Sequence, residues 1–313
     1  MSPQLKGVAC GIGSAVFYGT NPLGAIFLNQ EGVGASSALV YRFSFACVIL
    51  ALMMLVRKQS FRLNKAELAL LLPLGFIFAL SSLTFYHSFD YIDSGMACSL
   101  LFVYPVMVAL LMAIFFKEKL KISTAIAMVL ALTGIGMLYG GGETGVMNPI
   151  GVGLIMVSAL SYAIYIVVVN RGLQMSSIKL TFYVMFFCGL FILLYVLLYG
   201  TGLQPLTTPA SFGYALFLGI VPTVLSLVLM AQAVHLIGST PTAVMGALEP
   251  VTAVTFGVLV LNEVITFQIV CGILLILVSV TIIVLGKNFT MSRLISVAGR
   301  ARQVLKHWRW HPS

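Results

Sequence analysis

An all-α integral membrane protein, with ten transmembrane helices arranged as two inverted five-helix repeats, is the fold class that three observations predict. The chain of 313 residues is 60% hydrophobic and only 8% charged, with a mean hydropathy of +1.10. A soluble domain of this length carries roughly a quarter charged residues. Apolar runs long enough to cross a bilayer, about 17–25 residues each, recur along the whole sequence. The two halves of the chain also repeat each other.

The apolar runs place ten spans at 5–28, 37–57, 67–88, 94–116, 123–140, 150–170, 179–199, 211–235, 240–261 and 266–286, with no room for a separate soluble domain. No convincing small-residue cleavage site separates the first span from the second, so it reads as a retained helix rather than a signal peptide. Cys10, Cys47, Cys98, Cys188 and Cys271 fall in five different spans without CxxC spacing. They read as small polarisable core residues, not as metal ligands or a disulfide framework.

Charge orients the spans. With Lys6 and the N-terminus in the cytoplasm, Arg57, Lys58, Arg62, Lys65, Lys117, Lys119, Lys121, Arg171 and Lys179 fall in cytoplasmic loops. Lys287, Arg293, Arg300, Arg302, Lys306 and Arg309 add a basic cytoplasmic tail. The outer side receives Glu31, Asp90, Asp93, Glu143 and Glu263, and no Lys or Arg. Sixteen of the 17 basic residues are then inside, and Arg42, within a span, is the exception. This is the positive-inside pattern, N-in and C-in, and it accounts for the +9 net charge without nucleic acid.

The repeat is read from different residues. "MACSLLFVYPVMVALLMAIFFKE" (Met96 to Glu118) matches "PTAVMGALEPVTAVTFGVLVLNE" (Pro241 to Glu263) at an offset of 145, setting Pro105 on Pro250 and Glu118 on Glu263. "GVACGIGSAVFY" (Gly7 to Tyr18) matches "GVGLIMVSALSY" (Gly151 to Tyr162) at an offset of 144, pairing Gly7, Ser14, Ala15 and Tyr18 with Gly151, Ser158, Ala159 and Tyr162. The organisation is repeat one over 7–138, repeat two over 151–286, and the tail over 287–313. Five spans is an odd number, so the second copy enters the membrane from the other side. Inverted repeats of this kind build many secondary transporters, with substrate near the midplane between the halves.

"YRF" at Tyr41–Phe43, "YP" at Tyr104–Pro105, "EP" at Glu249–Pro250 and the repeat-ending Glu118 and Glu263 complete a pattern. With them, from Gly7 to Gly286, the chain resembles the drug/metabolite transporter superfamily, in particular its EamA-type members with ten spans and two EamA repeats. Lys117 and Asn262 stand where such proteins commonly have Gly. The resemblance implies export or exchange of small metabolites, amino acids or toxic compounds across a bacterial-type inner (plasma) membrane. It does not name the cargo.

Glu249 and Pro250 sit side by side inside an apolar run. An acid at mid-bilayer costs a few kcal/mol even on lenient insertion scales, so it should face protein or water. The proline should free a carbonyl near Gly246 and bias Glu249 away from the α region. Tyr104–Pro105 is the matching spot in repeat one. Two readings stand beside each other: a substrate or proton pathway, or a protonated, hydrogen-bonded core acid with a packing kink. Arg42 is open between snorkelling or pairing with an outer acid and clamping an anion or carboxylate. His87, followed by Asp90 and Asp93, is either an interfacial histidine or a proton-sensitive gate. Tyr18, Asn21, Tyr162, Tyr165 and Gln232 are candidate cavity lining, and Asn21–Pro22 should break span one near its outer third. Tyrosines at a membrane interface are also commonplace.

No GxxxxGK[ST] appears, which counts against ATP-driven pumping, and neither do HExxH, GxSxG or paired intramembrane aspartates. No cofactor or metal is implied, and no enzyme. "YGGGETG" (Tyr139 to Gly145) reads as a loop. The leading function is alternating-access transport of a small-molecule solute, with protons through Glu249 as one possible coupling ion; oligomeric state is not legible. The runner-up is an integral-membrane enzyme acting on a lipid or isoprenoid, whose only close acid pair would be Asp90 and Asp93. A non-transporting partner subunit would be favoured by a cavity filled with apolar side chains. In the tail, Met291, Leu294, Ile295, Ala298, Leu305 and Trp308 recur at helical spacing against Arg293, Arg300, Gln303 and His307, as in a helix lying on anionic lipid; a disordered tail is the alternative.

Overall fold

A computed structural model describes residues 2–88, 90–92, 97, 100–139, 148–171, 175–199, 202–261 and 266–286. The tail and its amphipathic pattern, the 140–147 loop, Asp93, Cys98, Asn262 and Glu263 lie outside the described residues.

Every described regular element is helical. Span one is two helices, Pro3–Tyr18 and Asn21–Gln30; spans two and three are Ala35–Val56 and Lys65–Ser88; spans four and five are Tyr104–Phe116 and Ile122–Tyr139. Spans six and seven are Pro149–Arg171 and Ser177–Tyr199. Span eight is Pro209–Gly219, a π turn Ile220–Leu225, and Ser226–Ile237. Span nine is Ser239–Met245 and Leu248–Leu261, and span ten is Phe267–Gly286. Six stretches are long and apolar enough to cross a membrane unaided: Ala35–Val56, Lys65–Ser88, Pro149–Asn170, Ser177–Tyr199, Pro209–Ile237 and Ser239–Val260. Three shorter apolar helices and the broken first span bring the crossings to ten.

Where helices outrun the apolar runs, the reason is capping. The Ser2 side chain accepts the Leu5 N–H ahead of Pro3, and Thr208 and Ser211 form a reciprocal capping box that starts span eight. Such polar caps satisfy the first backbone N–H groups. Hydropathy does not register them.

The two halves pack as exchange partners. Span one lies along span eight as span six lies along span three, and span two touches span eight as span seven touches span three. The pairs two–seven and five–ten map onto themselves. Side chains repeat the pattern. Ser14 meets Ser226 at Oγ–Oγ 3.3 Å, and Ser158 meets Ser81 at 3.2 Å. In each pair a hydroxyl also donates to the partner's carbonyl, Ser226 to Ser14 at 3.0 Å and Ser81 to Ser158 at 3.1 Å. Gly75 sits against Phe187 and Cys188 as Gly219 sits against Phe45 and Ala46, with a built Cβ reaching 2.4 Å and 2.8 Å from the phenylalanine Cβ. Small residues are what let helix backbones approach so closely in lipid. Because each half crosses five times, this exchange inverts one half relative to the other.

The offset itself is informative. Gly75 maps on Gly219 at 144, whereas Ser81 maps on Ser226 at 145. One residue has entered span eight between them, and it is absorbed in the π turn Ile220–Leu225. A π turn is a one-residue insertion into an α-helix, common at functional sites.

Loops gather at two ends. Arg62, Lys65 and Lys179 share one, where the Lys179 ammonium reaches the Arg62 carbonyl at 2.8 Å and Glu67 at 3.6 Å. Glu31, Gly34, Gln204 and Thr208 share the opposite end, joined by Thr208 to Glu31 and by the Gly34 N–H to Gln204.

Candidate functional site

A cavity of about 90 Å³ lies between the halves, in the part of the bundle nearer the Glu31 end. Repeat one lines it with Tyr18, Asn21, Pro22, Arg42, Phe78, Ser81, Ser82, Phe85, Tyr86, Phe102 and Tyr104, and repeat two with Ser158, Tyr162, Glu249, Pro250 and Ala253. Arginine, asparagine, serines and a glutamate face a space of several water volumes. This is not a cavity filled by apolar side chains.

Arg42 is only 3% exposed. It neither snorkels nor pairs with an outer acid. Its Nε donates to Thr223 Oγ1 at 2.6 Å and its Nη1 to Asn21 Oδ1 at 2.8 Å, while Nη2 is buried and makes no hydrogen bond of good geometry to any described acceptor. Among the described residues no carboxylate lies within ion-pair distance of it. The guanidinium carbon sits 5.5 Å from the ring centroids of both Tyr18 and Phe43, within the range of cation–π attraction.

The sequence of span eight makes this nest. Pro222 has no N–H for the carbonyl one turn back, Leu218. The Thr223 hydroxyl takes that carbonyl instead, at 2.7 Å. With its proton committed, Thr223 Oγ1 presents lone pairs, and Arg42 Nε uses one.

Span nine breaks at Gly246–Ala247, three residues before Pro250. Pro250 therefore falls in the first turn of Leu248–Leu261, where its missing N–H is not needed, and Glu249 is helical rather than pushed out of the α region. The Gly246 carbonyl is not left free; the Glu249 N–H takes it at 2.8 Å. Pro105 and Pro22 occupy first turns in the same way, and span one breaks just ahead of Asn21–Pro22, at Gly19–Thr20. At the break the Ala243 carbonyl accepts the Gly246 N–H at 3.1 Å, and it also receives the Tyr104 hydroxyl at 3.2 Å. That hydroxyl lies over Gly246, where a Cβ would come within 1.8 Å of it. No described side chain hydrogen-bonds the Glu249 carboxyl, which faces the cavity beside Tyr18, Tyr104 and Tyr162.

The cavity thus gathers Glu249, Pro250, Tyr104, Arg42, Tyr18, Asn21 and Tyr162. Four candidates stand elsewhere. Pro105 faces a small apolar gap with Met128 and Val244. Tyr165 is fully buried against Phe78, rings 4.9 Å apart, its hydroxyl without a partner. Gln232 accepts the Cys10 thiol at 3.6 Å. His87 caps span three, its Nε2 2.6 Å from the Tyr195 hydroxyl and its Nδ1 3.4 Å from Asp90.

The model of the EamA-like transporter family matches residues 5–140 and again 149–285. The chain belongs to that family. An uncharacterized transporter of Archaeoglobus fulgidus is 24% identical over 71% of this chain and 77% of its own length. A second from the same organism is 31% identical over 40% of this chain and 43% of its own length. The uncharacterized transporter YcbK of Bacillus subtilis is 26% identical over 75% of this chain and 78% of its own. A crystal structure of a protein only 15% identical superposes with a TM-score of 0.75, covering 89% of this chain and 98% of that one; it shares the fold.

In this EamA-like transporter, sequence reasoning missed Thr223, Ser81, Ser82, Phe85, Tyr86 and Phe102. For Thr223 a signal existed, since a proline followed by a hydroxyl residue inside an apolar span announces a displaced backbone bond. Ser81 and Ser82 had none, because intrahelical serines are unremarkable until a neighbour is known.

Proposed function

We propose that this chain is a secondary transporter that exports small organic solutes, such as amino acids or toxic organic compounds, by alternating access of its two repeats. One observation supports the reading above others: a largely aromatic and apolar cavity on the seam with a few polar groups set into it, to which both repeats contribute repeat-related residues, Tyr18 with Tyr162 and Tyr104 with Glu249. On the way to the lysine-rich end the Tyr104 hydroxyl lies over Gly246 and the Tyr162 hydroxyl 3.4 Å from the Met230 sulfur, and beyond these contacts a second space of about 180 Å³ lies between Lys119, Lys121 and Ser239. Exchanging the conformations of the two repeats would close the first space and open the second. In this proposal Glu249 carries protons or a cationic solute group, and Tyr18, Asn21, Tyr104, Tyr162 and Pro250 shape the pathway. The chain sits N-in and C-in in a bacterial-type inner membrane, so the cavity faces outward.

Counterflow of radiolabelled solutes in proteoliposomes, screened over amino acids and organic cations, tests the activity. Glu249→Gln keeps size and hydrogen-bonding capacity but removes the titratable proton. Flux should fall steeply and its pH dependence flatten, in a protein that still inserts. Wild-type flux with an unchanged pH profile would reduce Glu249 to packing. For orientation, cysteines placed at Glu31, Glu143 and Glu263 should react with impermeant thiol reagents from outside intact cells. Labelling of the Glu263→Cys protein only in inverted vesicles would refute it.

A further inference from the structure

We infer that Arg42 is an anion subsite, and that the solute is an organic carboxylate whose carboxylate docks on Nη2 while an apolar body lies along Tyr18, Phe85 and Phe102. The inference rests on reading the cavity as the solute site.

Three observations meet at this guanidinium. First, it is buried to 3% exposure, and no described carboxylate lies within ion-pair distance of it, Glu249 standing elsewhere on the wall of the same cavity. Isolated buried charge is so unfavourable that proteins pair it or bind something to it. Second, its donors are divided. Thr223 and Asn21 hold Nε and Nη1, and both are neutral acceptors, so they fix the plane of the fork without cancelling its charge. Nη2 makes no hydrogen bond of good geometry to any described acceptor, although the Tyr18 side chain lies beside the guanidinium, and Arg42 lines the cavity. A carboxylate there would gain a short, charge-assisted hydrogen bond to a donor that is already oriented. Third, the fold does not require the charge. The burial patterns of spans two and seven match at an offset of 142, with Leu39, Phe43, Ala46, Leu50 and Met54 buried like Thr181, Met185, Cys188, Ile192 and Val196. At that offset Arg42 falls on Val184, which is also fully buried. Repeat two builds the same packing with an aliphatic side chain.

The other walls decide the rest of the solute. Tyr18, Phe85 and Phe102 contribute aromatic surface to the wall, and Ser81 and Ser82 contribute small polar groups. An amphipathic acid fits this lining better than a compact inorganic anion, because a phosphate or sulfate would leave most of its oxygens against rings.

The test is thermal stabilisation of the purified full-length protein in detergent, since a ligand bound only by the folded state raises Tm by mass action. The probes are acetate, 3-phenylpropionate, L-leucine and L-phenylalanine, against L-phenylalaninamide and phenethylamine, each at about 10 mM. The expected result is a rise in Tm with 3-phenylpropionate or the amino acids and none with the amide or the amine. Arg42→Gln should weaken that binding by about tenfold or more, and Arg42→Lys, which keeps the charge but loses the fork, by an intermediate factor. If Arg42→Gln does not yield folded protein, the acid-against-amide comparison on the wild type still decides. Equal stabilisation by L-phenylalanine and its amide, no stabilisation by any carboxylate, or unchanged binding in Arg42→Gln each overturns the inference. Carboxylate binding without counterflow in proteoliposomes would leave the subsite standing and overturn the transport reading alone.

Discussion

Two places in the molecule are related by the repeat and have opposite chemistry. Around Arg42, Asn21 and Thr223 the chain builds a polar nest on a cavity. The counterparts of Arg42 and Asn21 are Val184 and Tyr165, and Phe78 falls opposite the Pro222–Thr223 step. There the rings of Phe78 and Tyr165 stack edge to face at 4.9 Å, and Phe78 and Tyr162 lie 6.2 Å apart. Helix packing is conserved between the two places while polarity is not. Packing in lipid needs only shape, so duplicated halves keep it as they diverge. Polar groups in the same setting each need a partner or a ligand. Phe78 and Tyr162 also line the cavity, so the space is shared and only the polar nest around Arg42 is one-sided.

The sharpest way to break this comparison is to move the charge. Val184→Arg puts a guanidinium where no described polar nest awaits it, and should cost about 3–5 kcal/mol, as an uncompensated buried charge does. Monodisperse yield after size exclusion should collapse. A well-folded Val184→Arg protein would mean that repeat two can also house the charge, and the asymmetry would lose its meaning.

The shared packing should respond symmetrically. Gly75→Val and Gly219→Val each push a side chain into a phenylalanine Cβ of the facing span. Overpacking of this kind costs about 1–3 kcal/mol. Thermal unfolding should report similar losses for both. A large loss for one and none for the other would show that only one of the two seams is tight.

Thr223→Val is the mildest test. It leaves the Leu218 carbonyl and the Arg42 Nε unserved at nearly constant volume, a penalty of about 1–3 kcal/mol before local rearrangement. Its effect on carboxylate binding should exceed its effect on Tm, because the threonine orients the fork more than it holds the span. Lower Tm with unchanged binding would make Thr223 a span-eight repair and nothing more.

Much of this was legible in the residues. Apolar run length places the spans, and the 144 and 145 offsets announce the repeat. What the sequence hides is the direction of each polar side chain. Arg42 near the start of span two looks free to snorkel until Asn21 and Thr223, 21 and 181 residues away, are seen to hold it. Pro250 looks like a kink until the break appears at Gly246–Ala247 and the proline falls into a first turn. Tyr165, Gln232 and His87 share the composition of cavity residues but point into other contacts.

By itself the sequence determined that this chain lives in a bilayer, crosses it ten times and is built twice. Those facts follow from transfer free energy and from self-similarity, which are properties of residues in order. Only the tertiary structure decided which of two repeat-related positions holds the cavity. That depends on contacts across more than a hundred residues, chiefly the reach of the Tyr104 hydroxyl to Ala243 on one side and the extra residue in the π turn of span eight on the other. A side chain's identity fixes what it can bond, and the fold fixes what stands within reach of it.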